Sequence, residues 1–589
     1  MKKILFFLFT FIFASNLISQ WSSNPAINST VCDLDQKQTF SKIAATSDGG
    51  CYVTWFDSRG NGHFKVYLQR YDINGFKQFA TDGLLISDKP QNSWFGDYDL
   101  KVDAGNNAII VFSDKRQAVP GDTTVNPYAY KISPSGQFLW GPDGVTLSPQ
   151  PSTYQMWPKA AVLSDQSVAF VWWYFYPQTR TTWLKIQRVS STGVVQYTNP
   201  IDIQSPDGKR YQYPNIVHSD NGNFIVSWVY GPKDTVGSFV PDNVSVFCNK
   251  YNSAGSTVWG TTPKTVYTET GNHIPIYMIP TVISDGNNGI VIGFYYTTST
   301  TILSSVQRFT SAGTQIYGNN GILLSTSDLR MHIEPKLCVN SSTNDIFAFY
   351  TDVFPPTSQD FEVITGQRLS SSGSRLWGDN GISFSQADTV SIFGIGCNVK
   401  DTNVVVTFNT QFYGPVYTLY KGFSVGPSGL LQWGGTMKNL SDVMSNKFYT
   451  NSTMTTGGMT ICSWEDTRNS PTGESGGIYC QNLKQDGTLG PVGIKTLSSE
   501  IPEKFYLYQN YPNPFNPVTN IKFDLRNSSF VNLNIYDAIG RHVKSLVSQN
   551  LHEGTYQVDF NAGEFSSGVY FYELKAGDFI QRKSMIMVK

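Results

Sequence analysis

The sequence predicts an all-β protein, an eight-bladed (alternatively seven-bladed) β-propeller followed by a C-terminal immunoglobulin-like β-sandwich. Three observations carry this prediction. An aromatic residue recurs at a nearly fixed period along most of the chain, short apolar runs alternate with polar residues, and 51 glycines and 29 prolines supply turns between them. The repeated segments lack the 3.6-residue periodicity of helices, so strands are favoured throughout.

The repeat is about 58 residues long and consists of four predicted strands. Its most regular feature is an aromatic residue near the end of an apolar strand, at Trp55, Phe112, Trp172, Trp228, Phe294, Phe349, Phe408 and Trp464. Four-stranded sheets of this kind bury both faces when they are arranged radially, which is the propeller solution. Two segments compete as the strand that closes the ring, Pro25 to Thr30 and Gly493 to Ser498, and a seven-bladed ring with one unit outside stays open.

The first 19 residues have the pattern of a secretory signal peptide. Lys2 and Lys3 precede an apolar run from Ile4 to Ala14, and small residues follow at possible cleavage positions. This run is too short to cross ~30 Å of hydrocarbon as a helix. Elsewhere no stretch approaches eighteen apolar residues, so we expect no transmembrane segment in the mature chain.

The amino-acid composition argues against several classes of ligand and cofactor. Lys and Arg total 43 against 44 Asp and Glu, a net charge of −1, which argues against nucleic acid as a ligand. Six scattered histidines and cysteines without Cys-x-x-Cys spacing predict neither a metal site nor a cofactor. Among the seven cysteines, Cys462 and Cys480 lie on adjacent predicted strands and are candidates for a disulfide, whereas Cys338 and Cys397 are expected to be too far apart. For most of the cysteines the favoured state is a buried free thiol.

The C-terminal 90 residues change in character. A polar linker at 499–504 separates the predicted propeller, residues 20–498, from short alternating strands at 505–589. In one of these, Val531, Leu533 and Ile535 share a face. Several motifs occur here in order: Gln509-Asn-Tyr-Pro-Asn-Pro-Phe-Asn-Pro517, Asn534-Ile-Tyr-Asp-Ala-Ile-Gly540, Gly554-Thr-Tyr556, Ser567-Gly-Val-Tyr-Phe571 and Lys583-Ser-Met-Ile-Met-Val-Lys589.

These motifs resemble the type A C-terminal sorting domain of the type IX secretion system. The resemblance covers residues ~500–589 and is specific, because separate motifs recur in the same order. It implies export through the periplasm and across the outer membrane of a Bacteroidota-type bacterium, with the type IX machinery as a partner. The resemblance further implies that the protein is then released or retained on the cell surface.

A charged signature follows the repeat aromatic in the first, second and eighth repeats. The Asp/Arg sector, as we call it, comprises Asp57, Arg59, Asp114, Arg116, Asp466 and Arg468. Three guanidiniums in neighbouring blades have the geometry to bind an anionic sugar or carboxylate, with the aspartates as ligands or acids. Alternatively each Asp pairs with its own Arg and holds a loop in place, and this packing role is favoured because repeat-encoded residues usually serve repeat packing. The same interpretation applies to the Gln-Arg pairs at 69–70, 187–188, 307–308 and 367–368.

Aromatic residues also collect just before the first strand of several repeats. Candidate ligand-binding residues among them are Trp94, Trp157, Tyr213 and Tyr449. If these loops open on the channel mouth, flat rings offer a stacking surface to a sugar or peptide. They serve equally well as bulky filler between blades.

Two function classes follow. The first is an exported binding or scaffold protein whose propeller face engages a glycan or a protein. The alternative is a carbohydrate-active hydrolase or lyase, similar to propeller sialidases, which uses the Asp/Arg sector. The turns between the third and fourth strands lack the aspartate of sialidase Asp boxes. Gly-x-Ser-x-Gly, His-Glu-x-x-His and P-loop motifs do not occur, so no catalytic residue is assigned.

Overall fold

The computed structural model describes residues 21–588, with gaps in that description at 61–62, 92–97, 117–123, 149–152, 177–180, 206–208, 232–244, 269–273, 275–277, 328, 355–360, 386–389, 415, 471–475, 491–493, 499 and 564. The predicted signal peptide and Trp94 lie outside the described residues. The chain divides into two compact units, one within residues 22–492 and the other within residues 493–589. The described part contains strands, turns and two short 3-10 turns at Asp220–Gly222 and Trp433–Gly435, and no α-helix.

The strands of the N-terminal unit are short and regularly spaced. They are β1 (Ser29–Cys32), β2 (Gln38–Ala45), β3 (Cys51–Asp57), β4 (Lys65–Tyr71), β5 (Leu84–Ser87), β6 (Asp99–Val102), β7 (Ala108–Asp114), β8 (Asn126–Ile132), β9 (Val145–Thr146), β10 (Tyr154–Val162), β11 (Val168–Tyr176), β12 (Thr181–Val189), β13 (Ile201–Ile203), β14 (Arg210–His218), β15 (Phe224–Gly231), β16 (Ser245–Tyr251), β17 (Lys264–Tyr267), β18 (Thr281–Ser284), β19 (Ile290–Thr297), β20 (Ile302–Phe309), β21 (Ile322–Leu323), β22 (Met331–Val339), β23 (Ile346–Phe354), β24 (Phe361–Leu369), β25 (Ile382–Ser383), β26 (Ser391–Lys400), β27 (Asn403–Tyr413), β28 (Val416–Val425), β29 (Lys438–Ser445), β30 (Lys447–Met454), β31 (Thr460–Asp466) and β32 (Gly477–Leu483).

These strands form eight four-stranded antiparallel sheets within the described residues. Seven sheets take four consecutive strands, β2–β5 through β26–β29, and the eighth joins the chain start to its later part in the order β1-β32-β31-β30. We number the sheets 1 to 8 from β2–β5, and we call β2, β6, β10, β14, β18, β22, β26 and β30 the first strands. Each first strand contacts the first strand of the next sheet, and β30 contacts β2, so the contacts form a closed circuit around a common axis.

The repeat aromatics explain why the sheets pack face to face. All eight lie on the second strands of the eight sheets, and each is at most 2% exposed. Burying a large side chain removes apolar area worth roughly 1.5–3 kcal/mol from water. The period of about 58 residues in the sequence therefore corresponds to one four-stranded sheet with one buried aromatic residue on its second strand.

Of the two segments proposed as the closing strand, the N-terminal one pairs with the eighth sheet. Ser29 lies opposite Cys480 and Cys32 opposite Ile478 in the β1–β32 ladder. The other candidate, β33 (Ile494–Ser498), instead pairs with a strand of the C-terminal unit. The C-terminal unit therefore begins before residue 505, the start that the change in composition predicted. The difference arises because a strand belongs to the sheet with which its backbone pairs, whatever its composition.

The C-terminal unit consists of two four-stranded antiparallel sheets, β33-β38-β35-β34 and β37-β36-β39-β40. Its further strands are β34 (Tyr506–Leu507), β35 (Val518–Leu525), β36 (Ser529–Tyr536), β37 (His542–Leu551), β38 (Gly554–Asn561), β39 (Gly568–Ala576) and β40 (Phe579–Met587). One apolar core joins the sheets and includes Val531, Leu533 and Ile535, the residues predicted to share a face.

A recurring polar contact, which we call the inter-sheet clamp, ties each of sheets 2 to 6 to the sheet that follows it. A cation on the third strand pairs with an aspartate in the turn between the first two strands, as in Arg308–Asp285 at 3.0 Å. The same cation donates to a turn carbonyl of the following sheet, here Ser371 O at 3.5 Å. Cation–aspartate pairs occur in sheets 1 to 6: Arg70–Asp48, Lys131–Asp103, Arg188–Asp165, Lys250–Asp220, Arg308–Asp285 and Arg368–Asp345.

An aromatic donor completes the clamp. Trp377 Nε1 donates to Pro427 O at 2.9 Å, and Arg368 donates to the same carbonyl at 2.8 Å. Trp259 and Lys250 share Ser311 O in the same way, at 3.0 and 2.9 Å. The turn that contains Ser311 must approach the Trp259 ring closely, and Gly313 in that turn leaves room for the ring. Its φ is +81°, and a Cβ would lie 2.9 Å from the Trp259 ring.

The glutamine of each Gln-Arg pair also has a structural role. Gln69 donates to Ala80 O at 2.7 Å and Gln367 to Gly378 O at 2.7 Å, so each amide fixes the turn that precedes the fourth strand. The four pairs therefore occupy the packing role that the sequence favoured.

Removing the cation of a buried clamp should destabilise the protein. In Arg308→Met, Asp285 stays buried without its partner, and we expect the free energy of unfolding to fall by about 3 kcal/mol. Arg188→Met is the matched control, because Asp165 is 49% exposed and water can replace the lost partner. The control should lose about 1 kcal/mol or less. Equal losses in chemical denaturation would contradict a clamp that depends on burial.

Candidate functional site

The first strands share an irregularity near their beginning. The pairing register with the second strand shifts by one residue in β2, β10, β14, β22, β26 and β30, which marks a β-bulge. Within each bulge one residue has a left-handed backbone conformation: Phe40 (φ 55°), Trp157 (φ 60°), Tyr213 (φ 51°), Glu334 (φ 54°), Gly394 (φ 63°) and Tyr449 (φ 48°). We call Phe40, Trp157, Tyr213, Glu334 and Tyr449 the bulge ring.

The local sequence favours these bulges. The innermost edge of a first strand has no hydrogen-bonding neighbour within its sheet, so an extra residue is tolerated there. In three cases the following residue is proline, at Pro158, Pro214 and Pro335, which has no N–H group to lose. At Gly394 a Cβ would lie 2.2 Å from the Thr450 hydroxyl, so only glycine fits.

Four of the five bulge-ring residues are aromatic, and they form two pairs across sheet boundaries. The Phe40 and Tyr449 ring centroids are 4.1 Å apart with an interplanar angle of 33°. Trp157 and Tyr213 are 4.5 Å apart at 36°. Tyr449 is 47% exposed, while Phe40, Trp157 and Tyr213 are half-buried and Glu334 is exposed. The arrangement is a set of flat apolar faces around the common axis.

Side-chain hydrogen bonds, both from neighbouring sheets and within a strand, hold the bulges in place. The Tyr98 hydroxyl donates to Phe40 O at 2.5 Å, and Asn451 donates to Tyr449 O and to Ser41 O, both at 2.7 Å. Left-handed backbone at a bulky residue carries a conformational penalty of about 1–3 kcal/mol and persists where its surroundings enforce it. The left-handed conformation of these aromatic residues is therefore stabilised by specific hydrogen bonds of the surrounding strands.

The sequence identified three members of the ring, Trp157, Tyr213 and Tyr449, as candidate ligand-binding residues. It missed Phe40 and Glu334. A bulge on an inner strand is only weakly indicated by the sequence. In this chain the indication is a large residue that is followed by proline or by a small polar residue.

The Asp/Arg sector lies at the same end of the sheets as the bulges, because Asp57 pairs in register with Gln38 at the start of β2. Each arginine contacts the aspartate of its own strand. Arg116 Nη2 is 2.7 Å from Asp114, Arg468 Nη2 is 2.6 Å from Asp466, and Arg59 pairs with Asp57. The three carboxylates are at most 1% exposed.

Further contacts occupy the guanidiniums. Arg116 donates to Asp143 O at 2.7 Å and Arg468 to Asn28 at 2.7 Å, while Arg59 donates to Asp82 O at 3.1 Å. Each guanidinium also lies over a tyrosine ring, at 4.0 Å from Tyr67, 3.7 Å from Tyr128 and 4.0 Å from Tyr479. This geometry favours loop packing over ligand capture for the six residues of the sector.

Two of the buried carboxyls have shifted pKa values. Burial raises the pKa of Asp114 above its usual value, although Arg116 opposes the shift. Burial also acts to raise the pKa of Asp466, but the hydrogen bond from Arg468 and the charge of Lys447 outweigh it and hold that pKa below its usual value. Glu465, beside the sector, is 3% exposed, and its pKa is raised by burial.

Lys447 is a buried lysine at the start of β30. Its Nζ donates to Val443 O at 2.6 Å and Thr418 O at 2.9 Å and lies 3.7 Å from Asp466. Burial lowers its pKa to about 8. Because its side chain is fully enclosed, it stabilises the first strand rather than contacting a ligand.

At the end of the sheets remote from the bulges, the first strands β18, β22, β26 and β30 line an open cavity of about 360 Å³. Cys338 and Cys397 are among its lining residues, and their side chains are in hydrogen-bonding contact, closer than the sequence suggested. Burial and the neighbouring thiol both raise the pKa of Cys338.

The disulfide considered between Cys462 and Cys480 does not form, and all seven cysteines are free. Cys462 lies opposite Gln481, and Cys480 lies opposite Ser463. Adjacent register positions point to opposite faces of a sheet, so the two thiols are on different sides. In the part of the chain that is described, no group of three or more His, Cys, Asp or Glu residues is arranged to hold a metal ion.

Comparison with known proteins identifies the C-terminal unit. Residues 509–589 match the family model of the secretion system C-terminal sorting domain. The chain therefore carries a type IX sorting domain, which directs it to the cell surface or the medium. Among the described residues no helix is long and apolar enough to cross a membrane. No curated protein matches the chain.

Several solved structures resemble the chain at low identity. Polysaccharide lyase Uly1 matches with 10% identity and a TM-score of 0.42, over 68% of this chain and 91% of the lyase. A PL25 ulvan lyase bound to a GlcA(1-4)Rha3S unit matches with 10% identity and a TM-score of 0.42, over 66% and 93%. An α-L-arabinanase of Penicillium chrysogenum matches with 9% identity and a TM-score of 0.30, over 71% and 98%. Likeness at this level carries no argument about activity.

The buried lysine predicts a pH dependence of stability. Between pH ~8 and ~10.5 the folded protein has released the Lys447 proton while the unfolded chain still binds it, so stability rises with pH in that window. Relative to Lys447→Met, the wild type should gain at most about 3 kcal/mol between those pH values. Chemical denaturation at both pH values measures the difference, with the exposed Lys37→Met as control. A constant difference between wild type and Lys447→Met would contradict the burial of a charged lysine.

Proposed function

We propose that the protein is an exported glycan-binding protein. In this proposal the N-terminal unit is an eight-bladed β-propeller, the bulge ring at its axis binds a polysaccharide, and the sorting domain delivers the propeller outside the cell. Trp157, Tyr213 and Tyr449 are the predicted binding residues retained in the site, and Phe40 joins them. The observation that carries the proposal is that four aromatic side chains occupy the same strained bulge position on different sheets.

Conformational strain supports a functional role for these positions. A non-glycine residue with positive φ is uncommon, and for a bulky residue it is a genuine outlier. Strained backbone of this kind clusters at ligand-binding and active sites.

The exposed faces suit carbohydrate. Sugar rings present flat C–H faces, and aromatic side chains bind them through apolar contact while leaving hydroxyls to hydrogen-bond elsewhere. Tyr449 is 47% exposed, and its neighbour Phe448 is 40% exposed. Pairs of rings on separate sheets offer two such platforms, which fits a chain of sugars better than a single residue.

The geometry does not favour an enzyme that uses the Asp/Arg sector for catalysis. A hydrolase or lyase needs an acid or base within hydrogen-bond reach of its substrate. The sector carboxylates of Asp57, Asp114 and Asp466 are enclosed and paired with their own arginines. We therefore assign these residues to the support of the binding face and propose no catalytic step.

Replacing an exposed ring should weaken polysaccharide binding. Loss of an aromatic anchor at an interface costs about 2 kcal/mol or more, so Tyr449→Ala should reduce affinity at least about tenfold. The measurement is a polysaccharide screen by affinity electrophoresis, followed by calorimetry on the best ligand, and Trp157→Ala and Tyr213→Ala test the second pair.

Tyr511→Ala is the matched control, because Tyr511 is an 80% exposed tyrosine in the C-terminal unit. It should bind like the wild type. If Tyr449→Ala, Trp157→Ala and Tyr213→Ala all keep full affinity and an unchanged unfolding midpoint, the bulge ring is not the binding site.

A further inference from the structure

We propose that Cys338 and Cys397 are an oxidation site of the exported protein, where they form a disulfide that links the first strands of sheets 6 and 7. This inference is independent of the proposed glycan binding, because both cysteines line the cavity at the end of the sheets remote from the bulge ring. It assigns a covalent modification to a pair of thiols for which the proposed function has no use.

The two thiols meet across a sheet boundary. Cys338 lies on β22, opposite Phe347, and Cys397 lies on β26, opposite Val406. These two first strands contact each other, and Cys397 packs against the apolar cluster to which Cys338 belongs. The side chains of the two cysteines are in hydrogen-bonding contact. Because the sulfur atoms already touch, only a small movement separates the two thiols from a disulfide.

Access from solvent distinguishes this pair from the other neighbouring thiols. Cys397 is half-buried and Cys338 is 7% exposed, and both line the open cavity of about 360 Å³. Cys51 and Cys480 are also close enough to interact electrostatically, but each is 0% exposed. An oxidant that enters the cavity therefore reaches Cys397, whereas Cys51 and Cys480 stay enclosed by the fold.

The destination of the protein supplies the chemistry. The sorting domain directs the chain to the cell surface or the medium, and disulfides form and persist in such oxidising environments. The oxidant that we propose is a disulfide, of a small molecule or of a protein, acting by thiol–disulfide exchange. Two protein thiols and one oxidant disulfide give one protein disulfide and two oxidant thiols, so two electrons and two protons pass to the oxidant.

The geometry assigns the order of attack. The more accessible Cys397 loses its proton, and its thiolate attacks the oxidant, forming a mixed disulfide and releasing one oxidant thiolate, which takes up a proton. The Cys338 thiolate then attacks Cys397 Sγ, which breaks the mixed disulfide and releases the second oxidant thiolate. Burial and the neighbouring thiol raise the pKa of Cys338, so it is the poorer first nucleophile and reacts through its proximity in the second step.

The disulfide would add a covalent link to the polar contact between the same two sheets. Arg368 on the third strand of sheet 6 donates to Pro427 O of sheet 7 at 2.8 Å, and the disulfide would join their first strands. Residues 338 and 397 are 59 positions apart in the sequence. A cross-link that closes a loop of this length restricts the unfolded chain, so the oxidised protein should resist unfolding better than the reduced protein.

The test maps the thiols of the full chain after oxidation. The reduced protein is incubated with oxidised glutathione, the remaining thiols are alkylated in denaturant, and the unreduced digest is analysed by mass spectrometry. We expect the peptides that contain Cys338 and Cys397 to be joined, and to be lighter than the two reduced peptides by two hydrogen atoms. Cys51 and Cys480 should be recovered in alkylated form.

Thermal unfolding measures the effect of the link on the fold. Oxidation should raise the unfolding midpoint of the wild type by about 5 °C relative to its own reduced form. In Cys397→Ser, which replaces a half-buried thiol, oxidation should cause no rise. Cys51→Ala is the matched control and should show the same rise as the wild type, since each variant is compared with its own reduced form.

The contrary results are specific. Recovery of both Cys338 and Cys397 in alkylated form overturns the inference. A glutathione adduct on Cys397 beside an alkylated Cys338 overturns it as well, because the second step has then failed. Bonds from either residue to other cysteines, or a rise of the midpoint in Cys397→Ser equal to that of the wild type, would show that oxidation occurs elsewhere and also overturn it.

Discussion

The inter-sheet clamp is the contact on which the rest of the N-terminal unit depends. A four-stranded sheet has two apolar faces and cannot bury both alone, so each sheet must be held against its neighbours at a fixed angle. Burial of the aromatic side chains drives the sheets together, but it does little to fix their relative orientation. The clamp provides direction, because a cation that is paired with a turn carboxylate of its own sheet and an aromatic N–H both donate to one carbonyl of the next sheet. The clamp recurs in sheets 2 to 6, and the pairing of β1 with β32 joins the chain start to the eighth sheet.

Closure is what creates the candidate site. Phe40 and Tyr449 are separated by most of the sequence of the N-terminal unit, yet their rings lie 4.1 Å apart because sheets 1 and 8 become neighbours. Polar groups of adjacent sheets contact these bulges: Tyr98 donates to Phe40 O, and Asn451 of sheet 8 donates to Ser41 O of sheet 1. Strain at the bulges is thus supported by the same packing that closes the circuit.

The sequence predicts the parts of this molecule that repeat. The period of the aromatics from Trp55 to Trp464 locates the second strand of every sheet, because a buried aromatic is required once per repeat. The pairing of Asp114 with Arg116 is likewise foreseeable, since residues two apart on a strand point to the same side. The sorting domain is evident from motifs in a fixed order, and the family match at residues 509–589 confirms it.

Other features depend on long-range contacts that leave little local signal. An aromatic residue such as Phe40 disfavours positive φ, so its bulge conformation contradicts local preference and follows only from the neighbouring sheet. Ile494–Ser498 has the sequence of a strand, but its partner, β38, lies some 60 residues further along the chain. Cys462 and Cys480 are on adjacent strands, as expected, but a one-residue difference in register puts their thiols on opposite faces.

Cross-linking measures the central claim, that closure brings the bulge residues of sheets 1 and 8 together. In a Cys397→Ser background, which removes the one cysteine that is not buried, the pair Phe40→Cys and Tyr449→Cys is treated with a short bismaleimide. The account predicts rapid intramolecular cross-linking of this pair, and none of Phe40→Cys with Val194→Cys, an exposed position in the turn that follows β12 of sheet 3. Failure of the first pair to cross-link, while both thiols react singly with the reagent, would contradict it.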